Sequence, residues 1–286
     1  MPGDVGNLAV LAGAPRRPSG YHPLGQHASF RARDCVCVLG VRSPTSAGEH
    51  SRASVGVILA GSFHARGSRG DALVGPGAML LGNAGAGYEH RHVDEGGDRS
   101  TVFDYHDDLV EDARRSLGAR GRGERAFDAT CLPASAGSAA VAALAREALA
   151  TGRADVVQDA ALAALTAALG ARRGGPAPAP AAHRRKIAQA MRHVEANVAE
   201  DCSLDALAAR AGLSTFHFLR LFRVHTGQTP RQFVIAARLR AAAHALRATR
   251  RAVIEVAMDA GFTDLSHFHS TFARAFGTSP RAYRLR

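Results

Sequence analysis

Along the chain the spacing of apolar residues shifts from a period of two to a period near 3.6. Between residues 31 and 105 the apolar runs are short. Cys35–Leu39 and Val55–Leu59 are rich in β-branched residues, and Ala72–Val74 and Ala78–Leu81 flank the turn Gly75-Pro76-Gly77. With Arg99–Tyr105 they predict short strands joined by Gly-bearing turns, the pattern of a small sandwich or barrel. Asp107–Leu117 and Ser138–Leu169 read as helices, the second stretch carrying one stripe of Ala139, Val141, Leu144, Ala148 and Leu149 and another of Val156, Val157, Ala160, Leu162, Ala164, Leu165 and Leu169. Such Ala-rich stripes pack either on the sheet or against a second protomer. Residues 171–182, with Gly174-Gly175-Pro176, Pro178 and Pro180, form a linker, because proline blocks helix continuation and alternating Ala-Pro extends the chain. From His183 onward every apolar stripe is helical, beginning with Ile187, Met191, Val194 and Val198. Residues 1–30 are rich in Gly, Pro and Ala and lack a clear period, and are expected to be poorly ordered or to make loose edge contacts.

The helical region repeats a single pattern. The first copy runs Leu207-Ala208, Gly212, Phe218, Phe222, Gly227, Thr229-Pro230-Arg231, Phe233, and the second runs Val256-Ala257, Gly261, Phe268, Phe272, Gly277, Ser279-Pro280-Arg281, Tyr283. Each reads as a short helix, a Gly-bearing turn and a second helix, the helix-turn-helix arrangement. Ser203, Ser214 or Thr215, and Thr263 or Asp264 are the N-cap candidates, since their side-chain oxygens accept from free amides of the first turn. Between the copies, Pro230 opens a third helix with Val234, Ala237, Leu239, Ala242, Ala243 and Leu246 on one face and Arg231, Arg238, Arg240 and Arg247 expected on the exposed one. A rigid helix of this length would hold the two units roughly one DNA turn apart.

The charge distribution agrees. Net charge is +11, and residues 183–286 hold 17 Lys and Arg against 7 Asp and Glu, leaving 19 against 18 elsewhere. A near-neutral N-terminal region joined to a strongly basic C-terminal one is the footprint of a nucleic-acid partner. In the second helix of the first unit, Ser214, Thr215, Phe216, His217, Leu219, Arg220 and Arg223 are the candidate DNA contacts. Arg220 has the reach to bond both guanine acceptors in the major groove, the other reading being a phosphate clamp. His217 stays open between a base contact and a capping or phosphate contact, and Phe216 suits a thymine methyl. In the second unit the matching face offers Thr263, Leu265, Ser266, His267 and Ser270, with Arg274 and Arg281 nearby. Its short hydroxyls and imidazoles predict phosphate contacts and weak base discrimination.

The motifs A-x-x-A-G-L-S, F-x-x-x-F-R, G-x-T-P-x-x-F, A-A-R-L-R and A-x-x-A-G-F-T-D-L-S-H-F-H-x-x-F followed by G-T-S-P-R-A-Y-R make the last hundred residues similar to the DNA-binding domain of AraC/XylS-type transcription regulators. The resemblance implies an α+β protein, with a cupin-like β-sandwich or barrel and helices at 31–170 and an all-α double helix-turn-helix domain at 183–286. It implies a sequence-specific regulator, an activator by family habit, with double-stranded DNA and RNA polymerase as partners, a small-molecule effector, and a homodimer made by helices of the first domain. A regulator without an effector, and a cupin-type metal-dependent enzyme fused to a DNA-binding domain, are the competing readings.

His64, His90, His92 and Tyr105 are the candidate effector-binding residues. On a strand, His90 and His92 point to one face and suit a metal if Glu89 or Asp94 adds an oxygen, although no metal or cofactor is assigned. No Ser-His-Asp set and no phosphate loop is seen, so no catalytic residue is assigned. Cys35, Cys37, Cys131 and Cys202 are too few and scattered for a disulfide framework, and Cys35 and Cys37 share a strand face. The first residues lack the charge order of a signal peptide, and no apolar run approaches ~20 residues, so a cytoplasmic protein without membrane contact is expected. A single lysine, Lys186, among 36 basic residues suggests a GC-rich bacterial source.

Overall fold

The computed structural model describes residues 17–93, 95–118, 125–171 and 183–285. Its N-terminal region is a two-sheet antiparallel sandwich. One sheet contains β1 (Gly20–His27), β2 (Phe30–Cys37), β9 (Asp98–Tyr105), β4 (Ala53–Gly61), β7 (Met79–Gly82) and β10 (Cys131–Leu132), in that spatial order. The other has the order β3 (Ser46–Glu49), β8 (Gly87–His92), β5 (Phe63–Gly67) and β6 (Gly70–Val74). The strand expectation therefore holds, and at the start of the chain the edge contact is the alternative realised for residues 20–27. Residues 20–27 are ordered as β1, because its backbone pairs with β2 from Gly20–Val36 to His27–Phe30. The low apolar content of β1 hid it, since a strand at a sheet edge needs backbone partners more than a hydrophobic face. Residues 1–16 lie outside the described residues.

Strand alternation gives the larger sheet two different faces. Phe30, Ala32, Val55, Val57, Leu59, Phe103 and Tyr105 point to one side and are covered by α1 (Asp107–Ser116), α2 (Ala136–Thr151) and α3 (Ala154–Gly170). This is the main core. Ala145, Ala148, Ala160, Ala161 and Ala164 are fully buried there. The small side chains let α2 and α3 approach the sheet and each other closely. On the same side Arg99 forms a bidentate pair with Asp34, at 2.9 and 2.7 Å, and the two side chains are 3% and 0% exposed. The opposite side carries Arg33, Cys35, Ser54, Gly56, Ile58, Asp98, Ser100 and Val102, and faces the smaller sheet across a cavity.

The C-terminal region is all helical: α4 (Arg184–Ala196), α5 (Leu204–Arg210), α6 (Thr215–Thr226), α7 (Pro230–Ala248), α8 (Val253–Asp259), α9 (Leu265–Phe276) and α10 (Pro280–Arg284). The linker expected at 171–182 falls almost wholly on residues outside those described; Ala171 caps the end of α3.

The sandwich and the helical region pack on each other. Helix α2 lies between the larger sheet and the helical region, contacting α7 and α9. Its Ala139 joins the cluster of Leu239, Leu246, Phe268 and Phe272. Of the two roles expected for the Ala-rich helices, packing on the sheet is realised by both, and α2 adds a face toward the helical region. Leu73 of β6 likewise joins Ile187, Met191 and Phe218. Three arginines expected on the exposed face of α7 instead have partners: Arg240 pairs with Glu195, Arg247 with Glu147 of α2, and Arg238 bonds the Val198 carbonyl at 3.0 Å. Of that set, Arg231 is exposed. Replacing Glu147 with Ala is expected to cost about 1 kcal/mol of contact between the two regions, the upper end for a surface ion pair, since the Arg247 and Glu147 side chains are 25% and 17% exposed. Hydrogen exchange should then report roughly fivefold faster opening at the α2–α7 contact, with the sheet amides unchanged.

Candidate nucleic-acid interface and sandwich cavity

Each helix-turn-helix unit is built by local rules that are plain in the sequence. Ser203 caps α5 by accepting from Ala206 N, and Ser214 caps α6 by accepting from His217 N. Asp264 caps α9, taking Ser266 N and His267 N. The turns need glycine: Gly212 and Gly261 have φ of +61° and +85°, in the left-handed region that L side chains avoid. At Gly261 a Cβ would also lie 2.3 Å from the Val198 carbonyl oxygen, so the turn passes hard against the end of α4.

Below the turns the recognition helices are anchored by aromatic groups. Phe218, Phe222 and Phe233 are fully buried in the first unit, and Phe268 and Phe272 in the second. Tyr283 of α10 packs edge-on to Phe272, at 5.4 Å between ring centroids. With the apolar side of each helix committed inward, the other side is presented to solvent. On α6, Phe216 (77% exposed), His217, Arg220 and Arg223 are exposed, while Leu219 is half-buried and Thr215 donates to Asp205 at 2.8 Å. Around α9, Thr263, Leu265, Ser266, His267, Ser270, Arg274 and Arg281 are all exposed, with Ser270 donating to the His267 carbonyl. Strand β6 touches α6 and helix α2 touches α9, and the side chains named as exposed on the two helices stay open to solvent beside these contacts. Thr215 and Ser214 therefore act first as structural caps and ties, and the free long side chains of α6 are His217, Arg220 and Arg223.

Helix α7 spans 19 residues, or ~28 Å at ~1.5 Å per residue. It is held by buried Val234, Ala237, Leu239, Ala243 and Leu246 along its length, which makes it a rigid strut between the units.

The cavity between the sheets has a volume of about 240 Å³. It is polar, with Arg33 and Asp104 paired at 2.7 Å and the Arg33 guanidinium stacked over Tyr21. His90 lines it, packed on Phe63 and Tyr88. Burial, with His50 and His92 nearby, pushes the His90 imidazole down to about 4, so it is neutral at physiological pH. Burial also raises the Asp98 carboxyl to about 7 and the Cys35 thiol to about 12.

Of the four expected effector residues, His90 lines this cavity, His92 lies beyond its lining, and the other two face away from it. His64 points to the outer face of the smaller sheet, where it bonds Asp71 at 2.9 Å beside Arg184. Strand parity decides this, since His64 registers with Arg91, whereas Phe63 registers with His92. Tyr105 lies on the helix-covered face of the larger sheet, fully buried, and donates to the Ala161 carbonyl at 2.8 Å. His90 and His92 do share a face, as expected, but Glu89 pairs with Arg66 on the other side. Asp94 lies outside the described residues. The groups gathered near His92 are Cys37, whose Sγ is 3.2 Å from Nε2, and Asp98, whose Oδ1 is 3.7 Å from Nδ1. Both come from the larger sheet, and spacing along a single strand gives no access to them. A second cavity, of about 360 Å³, opens between α2 and α7 and is bordered by Arg146, Glu147, Arg240, His244 and Arg247.

Two helix-turn-helix units on one strut, each with an open recognition face, define a tandem DNA-reading module. A family model described as a helix-turn-helix domain matches residues 207–286. The chain is 37% identical over 99 residues to the HTH-type transcriptional activator RhaS of Salmonella schwarzengrund (strain CVM19633), covering 35% of this chain and 36% of that protein. It is 40% identical over 91 residues to RhaS of Escherichia fergusonii, covering 32% and 33%. The match thus spans about a third of the length of these curated relatives. Among solved structures, the DNA-binding domain of AdpA in complex with a target DNA is 34% identical, over 35% of this chain and 90% of that one, with a TM-score of 0.34. An AraC-type regulator from Chromobacterium violaceum is 30% identical, over 37% and 95%, with a TM-score of 0.35. Among the described residues no helix is long and apolar enough to cross a membrane.

Proposed function

We propose that this protein is a transcription regulator that binds double-stranded DNA through α6 and α9 and responds to a small polar effector held in the sandwich. The observation that carries the reading is the pair of open recognition faces on one rigid strut. A separation of roughly one helical turn, ~10 bp, places both helices in successive major grooves on one side of the duplex. The excess of Arg over Asp and Glu in residues 183–286 supplies phosphate contacts, which makes binding steeply salt-dependent.

The two units divide the work unequally. Arg220 stands exposed on α6 with no acidic side chain on its own helix, and its guanidinium is the base reader. Helix α9 offers Ser266, His267 and Ser270, which reach phosphates and discriminate bases weakly, with Arg274 and Arg281 as further phosphate contacts. Activation through RNA polymerase and pairing of two protomers belong to the same reading, as does a cytoplasmic location. The effector fits a cavity of about 240 Å³ whose walls offer Arg33, Asp104, His50 and His90, which suits a small molecule carrying hydroxyl or carboxylate groups. Its binding would shift the population between arrangements in which α2 is and is not docked on α7.

The test is selection of DNA fragments by the full-length protein at a stated salt concentration, followed by Arg220→Ala on the selected site. The expected result is a motif of two boxes one turn apart and a loss of ~1–3 kcal/mol confined to one base position. A uniform loss on every sequence would reduce Arg220 to a phosphate contact, and binding with no motif at all would overturn the reader.

A further inference from the structure

We propose that Cys37, His92 and Asp98 form a site for a divalent transition metal of the zinc type, at the end of the sandwich where the two sheets meet. Each side chain offers a ligand atom, and these atoms lie within 4.8 Å of one another. The Cys37 Sγ to His92 Nε2 separation is 3.2 Å, and His92 Nδ1 lies 3.7 Å from Asp98 Oδ1. These two approaches use different ring nitrogens and a metal takes one, so with Nδ1 as the ligand beside Asp98 the Cys37 thiolate turns from Nε2 toward it. Zinc bond lengths of ~2.0–2.3 Å imply ligand–ligand edges of ~3.3–3.8 Å, and the present spread, within 4.8 Å, closes by side-chain rotation.

The backbone fixes where these residues stand. Cys37 ends β2 and is the registered neighbour of Asp98, the first residue of β9. Asp98 in turn registers with Gly61 of β4. His92 ends β8 in the other sheet, opposite Phe63. A metal here would tie a thiolate and a carboxylate of one sheet to an imidazole of the other. Gly61 holds the ends tightly: its φ is +77°, and a Cβ there would lie 2.0 Å from the Gly97 carbonyl oxygen and 2.6 Å from Asp98 Cα.

A second observation points the same way. His92 is 6% exposed, and its buried Nδ1 makes no hydrogen bond. A buried ring nitrogen without a hydrogen bond is costly unless it binds something. The donor set chooses among metals. One thiolate, one imidazole and one carboxylate suit zinc and its neighbours, whereas calcium and magnesium take oxygen ligands. Three protein ligands leave a fourth position. Asp98 also lines the cavity between the sheets, so that position opens toward the proposed effector and suits water or an oxygen of a small anionic ligand. The site does not depend on the DNA reading, and its failure would leave that reading intact.

The test uses full-length protein stripped with a chelator and titrated with cobalt(II) and then zinc(II) alone. The expected result is one bound equivalent, a thiolate-to-cobalt charge-transfer band in the near ultraviolet, and a zinc-dependent rise in Tm. Cys37→Ser should abolish the band and weaken zinc at least tenfold, Asp98→Asn should weaken zinc, and Cys202→Ser should change neither. Far-UV circular dichroism checks the fold of each variant, and His92→Gln reads the same site if Cys37→Ser does not fold. Absence of stoichiometric metal in the wild type, or a cobalt band that survives both Cys37→Ser and His92→Gln, overturns the proposal.

Discussion

Phe272→Ala is expected to destabilise the helical region by ~3–5 kcal/mol, the cost of removing a fully buried phenyl ring from a packed core. The ring is 0% exposed and sits at the centre of an aromatic cluster. Phe276 stacks on it at 4.2 Å, Phe268 lies at 5.5 Å and Tyr283 at 5.4 Å. These neighbours come from α9 itself and from α10, and α10 has only five residues, so little backbone is available to collapse into the space. Against a total stability of ~5–15 kcal/mol, the loss leaves the second unit marginal. The chain has no tryptophan, so guanidinium unfolding is best followed by far-UV circular dichroism. DNA binding should separate into two effects, with contacts at the α9 box lost and those at the α6 box retained, because Phe218, Phe222 and Phe233 form a different cluster. Equal loss at both boxes would show that the two units unfold as one.

The second large effect is expected at Arg99. Its guanidinium is buried beneath the helices, paired through Nε and Nη2 to Asp34. Arg99→Ala leaves a carboxylate with 0% exposure, and breaking one side of a buried pair costs ~3–5 kcal/mol. Arg17 reaches the same carboxylate at 3.3 Å, is one-third exposed and softens the loss, so the lower end of the range is expected. The companion variant replaces both partners with apolar residues of similar volume. It should recover most of the loss, because the pair's large penalty comes from the abandoned charge rather than from the net worth of the bridge. Urea unfolding of the three proteins checks this, and a double variant as unstable as Arg99→Ala would refute it.

The helical region is almost fully legible in the chain. Ser203 and Gly212 act locally, as does Pro230 at the first turn of α7, and Phe218, Phe222, Phe268 and Phe272 repeat at a helical period. A short-range rule written twice leaves little for tertiary packing to alter. The exceptions are Arg238, Arg240 and Arg247, whose partners Val198, Glu195 and Glu147 lie 40, 45 and 100 residues away. Periodicity assigns an arginine to a face, and only the docked neighbour decides whether that face meets solvent. The sandwich is legible as strands but not as a site. His64 and His90 look equivalent in sequence, yet their register in β5 and β8 puts one outside and one in the cavity. Strand β1, with few apolar residues, has its order chiefly from hydrogen bonds to β2, with Leu24 packed against the main core.

The twin recognition helices, their caps, their turns and the basic face they present follow from the order of amino acids, because each depends on residues within a few positions of one another. The seat of α2 between sandwich and strut, and the convergence of Cys37, His92 and Asp98, follow from packing instead. Cys37 and His92 stand 55 residues apart, and nothing in local spacing encodes which strands of two sheets will close on each other.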